Sequence, residues 1–175
     1  MEPRRILFVC TANVCRSPAA EHLARDFAAQ DDRFEFTSAG LLREGLECPD
    51  KLVRLLAERG LDLRAHRSRI VDLTTLRVAD LVVTMERGHI RELAVMDRSV
   101  IDRAVPLLEL CRVLGRPRSV AEVRALLAGR EPGAYLGLGD HDDVPDPYGR
   151  SKRHYRRTVE LLAEKVGLMM GNLRP

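Results

Sequence analysis

The chain has 175 residues, 45% of them hydrophobic and 31% charged, which is enough for one domain with a sizeable core. Its formal charge of +3 arises from 29 Lys and Arg interleaved with 26 Asp and Glu, too mild an excess for a nucleic-acid footprint. No apolar run approaches a membrane span, and four cysteines without a C-x-x-C pair suit neither a disulfide framework nor a zinc site, so a reducing, cytoplasmic setting is expected.

Arg4-Arg5 ahead of an apolar run superficially mimics a secretion signal, but Asn13 and Arg16 cut the run short. Ile6 to Val9 instead reads as a strand buried on both faces, because four apolar residues follow one another without alternation. It delivers Cys10 into the loop Thr11-Ala12-Asn13-Val14-Cys15, and Ser17-Pro18 then predicts an N-cap and a first helical residue. At a helix N-terminus several backbone N–H groups lack intrahelical partners and the macrodipole is positive, so an oxyanion is stabilised there. A thiol reacts as thiolate, a form favoured by a helix N-terminus and by nearby arginine, which makes Cys10 a candidate nucleophile. Arg16 offers a planar fork able to hold two phosphoryl oxygens at once. Spacing alone carries little, since Cys48 and Arg54 repeat it without a preceding buried strand, and a free cysteine such as Cys10 also reads as a core thiol.

The first helix carries Ala20, Leu23, Ala24, Phe27 and Ala28 on one face, and Phe34 to Thr37 alternates like a strand. Ser38-Ala39-Gly40 ends that strand with residues small enough for close backbone approach. A helix is predicted from Asp50 to Arg59, closed at Gly60; Leu81 to Met85 reads as a buried strand, Glu86 to Met96 as a helix and Val105 to Leu108 as a fourth strand. This alternation predicts an α/β fold, a small four-stranded parallel sheet wound with helices on both faces, placing Cys10 at a strand's carboxyl end where such sheets bind ligands.

Ser119 and Glu122 form a capping box before Val123, Leu126 and Leu127, with Gly129 as the stop, so one short helix is expected there. Pro132 to Gly139 is glycine-rich and carries Tyr135, and Asp140-His141-Asp142-Asp143 is expected to be a solvated acidic loop rather than a metal site. Asp146, between two prolines, fits either a turn residue or the proton donor that a departing alkoxide or phenoxide requires. From Ser151 a long helix places Tyr155, Val159, Leu162, Val166 and Met169 on one stripe, its first turns holding Lys152, Arg153, Arg156 and Arg157.

Val9 to Pro18 resembles the signature of the low-molecular-weight protein tyrosine phosphatases, and Ser38-Ala39-Gly40, Pro49-Asp50, His66-Arg67-Ser68, Asp80-Leu81 with Met85, and Pro145-Asp146-Pro147-Tyr148-Gly149 follow in that family's order. The resemblance spans about four fifths of the chain, read as a single domain over 1–175, with an apparent insertion over 109–142. It implies a phosphomonoester hydrolase acting on phosphotyrosine in proteins or on other aryl phosphates through a cysteinyl-phosphate, without metal or organic cofactor. The implied catalytic residues are Cys10, Arg16 and Asp146; Thr11, Ala12, Asn13, Val14, Cys15, Ser17 and Tyr148 contact substrate, and Ser38 and His66 support the loop through Asn13. It also raises a reversible Cys10–Cys15 disulfide as a redox control. The alternatives are a thioredoxin-coupled arsenate reductase, which relays oxidation through two further cysteines where the segment Met85 to Asp97 has none and Cys48 and Cys111 are poor stand-ins, and a phosphate-binding module without turnover, which would need neither thiol nor acid.

Overall fold

In the computed structural model, which describes residues 2–29, 31–130 and 141–175, four strands form one parallel sheet in the order β2-β1-β3-β4. These are β1 (Arg4–Cys10), β2 (Phe34–Gly40), β3 (Leu81–Thr84) and β4 (Ala104–Pro106). The sequence places them between helices α1 (Arg16–Ala28), α2 (Asp50–Ala57), α3 (Leu73–Val78), α4 (Arg87–Met96), a 3-10 turn (Arg98–Asp102) and α5 (Leu107–Val113). There follow β5 (Arg118–Ser119), α6 (Val120–Ala128), α7 (Lys152–Asn172) and β6 (Leu173–Arg174), β5 pairing in parallel with β6.

Successive residues of a strand face opposite sides, and β1 divides the core accordingly. Ile6, Phe8 and Cys10 join one apolar cluster with residues of α1, α2, α5, α6 and α7, whereas Leu7 and Val9 join a second with Leu76, Ile90, Leu93 and Val100. The unbroken apolar run of β1 is therefore what a strand with helices on both faces requires. Since β2 lies to one side of β1 and β3 to the other, the chain reverses its winding between β1 and β3, the place where open α/β sheets leave a crevice at the strands' carboxyl ends.

Several elements differ from expectation for identifiable reasons. Ser17 does not cap α1: Cys15 takes the N-cap position, and the Ser17 hydroxyl is turned toward Cys10. β2 runs through Ser38-Ala39-Gly40 because these residues remain paired with Phe8, Val9 and Cys10. The fourth strand ends at Pro106, whereupon α5 starts, a helix the apolar run to Leu108 concealed. α6 has the expected Ser119–Glu122 capping box, but Leu126 is exposed, leaving Val120, Val123 and Leu127 as its inward face. Phe27 is also partly exposed, its ring lying over Gly167 of α7. No helix among the described residues is long and apolar enough to cross a membrane.

The acidic stretch is where expectation and structure part most clearly. Tyr135, the glycine-rich 132–139 and Asp140 lie outside the described residues, but Asp142 is buried rather than solvated. Its carboxylate bridges Arg112 in α5 and Arg87 at the start of α4, and the hydrogen bonds from Arg112 and then Arg87 hold its carboxyl below its ordinary value against the opposing effect of burial. Arg87 also pairs with Glu109, which in turn meets Arg130. Removing one member of a buried charge network leaves the others uncompensated, so Asp142→Ala should destabilise the fold by about 3 kcal/mol. Urea denaturation at neutral pH measures this, and a loss below about 1 kcal/mol would show the network to be solvated in effect.

Candidate active site

The loop between β1 and α1 is shaped from behind. Asn13, fully buried, adopts φ +53°, a left-handed conformation that asparagine tolerates better than most residues. Its side-chain amide donates to Ser17 Oγ and Ser38 Oγ, both at 2.9 Å, and its Oδ1 accepts the Arg69 N–H at 2.9 Å. The His66 ring Nε2 donates to the Asn13 carbonyl at 2.8 Å. Ser38 Oγ in turn donates a hydrogen bond to the buried Glu21 carboxylate, which Arg25 pairs. Gly40 closes the back: a Cβ there would lie 2.8 Å from the backbone of both Ala12 and Asn13, so only glycine permits this approach.

Within this frame Cys10 Sγ lies 3.0 Å from Ser17 Oγ and accepts the Asn13 backbone N–H at 3.3 Å. Arg16 is 2% exposed and four hydrogen bonds spread over both of its terminal nitrogens. Nη1 donates to Glu86 Oε1 and, at 3.0 Å, to the Val144 carbonyl. Nη2 donates to Thr11 Oγ1 at 3.2 Å and to Asp146 Oδ2 at 2.9 Å. The segment bearing Asp146 is tied on both sides, the Val144 N–H donating to the Met85 carbonyl and Thr158 Oγ1 to the Pro145 carbonyl.

Glu86 and His89 escaped sequence reading. They form the capping box of α4, in which the Glu86 backbone N–H donates to His89 Nδ1 while the Glu86 side chain accepts the His89 backbone N–H. On the sequence this Glu-x-x-His reads only as a helix start; what could have singled it out is its position directly after β3, at the rim of the crevice. Burial pushes the His89 ring down to about 4, with Glu86 opposing that shift and Arg16 adding to it.

A cleft of about 420 Å³ opens above the loop, lined by Cys10, Thr11, Ala12, Val14, Cys15, Arg16 and Asp146, with Leu42, Leu46 and Tyr148 as apolar walls. Asn13, Ser17 and Ser38 lie behind it, and His66 reaches it only through the Asn13 carbonyl. Cys15 packs with Sγ 3.9 Å from Tyr155 Oη, and burial raises its thiol to about 12, as it does for Cys48. Lys152, Arg153, Arg156 and Arg157 are exposed on the first turns of α7.

A thiol, a guanidinium and a carboxylate around one cleft at the carboxyl end of a parallel sheet suit the chemistry of a cysteine-dependent phosphatase. Residues 5–116 match the family described as low molecular weight phosphotyrosine protein phosphatase, and the chain belongs to that family. A low molecular weight protein-tyrosine-phosphatase from Streptomyces coelicolor is 31% identical over 171 residues, covering 94% of this chain and 91% of the relative. An arsenate reductase from Bacillus subtilis is 39% identical over 85 residues, 49% of this chain and 58% of its own length. Among solved structures, the YwlE arginine phosphatase from Geobacillus stearothermophilus aligns with a TM-score of 0.72 at 26% identity, covering 97% of this chain and 92% of that one.

Two outcomes are expected. Gly40→Ala must displace the loop backbone, so kcat/KM for an aryl phosphate should fall about 10²-fold; an unchanged value would mean that the loop tolerates displacement. The second concerns pH. The folded protein keeps His89 neutral down to about pH 4, whereas the unfolded chain takes up the second ring proton near its ordinary 6.5. The unfolded state then binds the extra proton, so stability present above 6.5 is lost as pH falls from about 6.5 to about 4. His89→Gln should flatten this part of the curve of urea midpoint against pH; a curve parallel to wild type would refute it.

Proposed function

We propose that the chain hydrolyses phosphotyrosine in proteins through a cysteinyl-phosphate intermediate, with Cys10, Arg16 and Asp146 as the catalytic residues. The observation that carries this reading is the meeting of Cys10 and Arg16 with Asp146, a residue 130 positions further on, around one cleft with an apolar wall. The Cys10 thiolate attacks phosphorus in line, forming the S–P bond as the ester O–P bond breaks, and the loop amides with Arg16 hold the equatorial oxygens. Protonated Asp146 delivers its proton to the leaving oxygen. Its carboxylate then takes a proton from the water that attacks phosphorus, the S–P bond breaks, and Ser17 Oγ donates to the departing sulfur.

Because Arg16 Nη2 is shared between Thr11 and Asp146, a bound phosphoryl group competes with Asp146 for the same guanidinium edge. Substrate binding thereby frees the acid. Leu42, Leu46 and Tyr148 give an aromatic leaving group apolar surface to lie on. The reductase reading is disfavoured because Cys48 and Cys111 are buried, with thiols raised to about 12 and about 11, poor carriers for a thiol relay. Four free cysteines among the described residues support a reducing, cytoplasmic site of action.

Turnover of para-nitrophenyl phosphate in the presence of a chelator, followed by peptides bearing phosphotyrosine, phosphoserine or phosphoarginine, tests the reaction and its substrate class. Phosphotyrosine should be preferred, and a dominant phosphoarginine activity would reassign the substrate. Cys10→Ser should abolish turnover. Asp146→Ala should lower it by about 10² to 10⁴ on a poor leaving group and less on an acidic phenol. Wild-type rates in Cys10→Ser would overturn the covalent route.

A further inference from the structure

Thr11 Oγ1 accepts two hydrogen bonds from groups whose proton inventory is fixed. Arg16 Nη2, 3.2 Å away, can only donate. The other neighbour is His89 Nε2 at 3.0 Å, and its role follows from the far side of the ring. There Nδ1 faces the Glu86 backbone N–H at 3.2 Å; since that amide can only donate, Nδ1 carries no proton. In the neutral imidazole the single proton is then on Nε2, which donates to Thr11. Burial, which depresses the affinity of His89 for a second proton, agrees with a neutral ring.

A hydroxyl oxygen has two acceptor positions and one proton. With both acceptor positions of Thr11 taken, its proton is forced into the remaining tetrahedral direction, away from His89 Nε2 and Arg16 Nη2. No acceptor for it occurs among the described residues, and Thr11 lines the cleft beside Cys10. We infer that the Thr11 hydroxyl is a directed donor to a phosphoryl oxygen of the substrate, and that His89 is the positioning residue which fixes that direction; this rests on the cleft being the phosphate site proposed above. The His89 pair thus makes a side-chain hydroxyl behave like another of the loop's amides, preset before substrate arrives.

The test uses inorganic phosphate as the probe, its inhibition constant and direct binding being measured alongside kcat and KM for para-nitrophenyl phosphate. Thr11→Val keeps the shape and removes the proton. It should weaken phosphate binding and raise KM about ten- to hundredfold, the range for losing a hydrogen bond to a charged group, with a smaller change in kcat. Thr11→Ser should recover most of the loss, because the hydroxyl returns. His89→Leu should reproduce the Thr11→Val defect, and His89→Gln, which offers an N–H at the same reach, should lessen it. In the double variant His89→Leu with Thr11→Val the penalty should be no larger than in either single variant, since one path has been cut twice.

Unchanged phosphate affinity in Thr11→Val would overturn the inference, as would penalties that multiply in the double variant, which would give His89 a separate structural role. Thermal midpoints of every variant identify defects due to unfolding, and the Thr11→Ser rescue still decides the case if Thr11→Val is unstable. A wild-type protein that binds phosphate yet does not hydrolyse the ester would refute the proposed reaction, while the phosphate affinities of the variants would still decide the role of Thr11.

Discussion

A guanidinium buried to 2% exposure is the constraint around which this molecule is arranged. Withdrawing such a charge from water costs several kcal/mol unless acceptors replace the lost hydration, so the fold must bring oxygen atoms to Arg16 from wherever the chain can supply them. It draws on the loop's own Thr11, on Glu86 after β3, and on Val144 and Asp146 ahead of α7. Three chain segments far apart in sequence are thereby held at one point. The reversal of winding between β1 and β3 makes this convergence geometrically accessible, because it leaves the carboxyl ends of both strands facing the same crevice.

What could be read from the sequence was whatever depends on local pattern. Ile6 to Val9 announced a doubly covered strand because both faces need apolar residues, and the α7 stripe from Tyr155 to Met169 is buried as its spacing requires. The neighbourhood of Cys10 was legible because its amides and its arginine lie within a few positions of each other. The acceptors of Arg16 were another matter. Glu86 lies 70 residues away and His89 looks like an ordinary helix cap, so nothing in their local context betrays a contact made only after the sheet assembles. Ser17 misled for the opposite reason, since a residue well suited to capping is employed elsewhere, its hydroxyl beside Cys10.

Asp142 shows how composition misreads a segment when its partners are distant. Four polar residues in a row look solvated, yet the third is enclosed by arginines of α4 and α5. The consequence reaches the site: Asp142 stands two residues before Val144, whose N–H and carbonyl are both engaged, on Met85 and Arg16. Helices α4 and α5, which flank β4 in the chain, therefore act as a buttress for the segment carrying Asp146. An acid delivered from a loop can be placed accurately only if that loop is fastened to rigid elements, and here the fastening is electrostatic.

The differing fates of the four thiols have a practical corollary. Burial holds Cys15, Cys48 and Cys111 in their protonated form, with values of about 12, 12 and 11. Thiolates are the species that electrophiles capture. Toward an alkylating reagent those three thiols are thus poor targets, whereas Cys10 lies in a cleft that Arg16 also lines. Anionic electrophiles would be guided to it and neutral ones would not, so the reagent's charge, more than its intrinsic reactivity, would set how cleanly the protein is labelled.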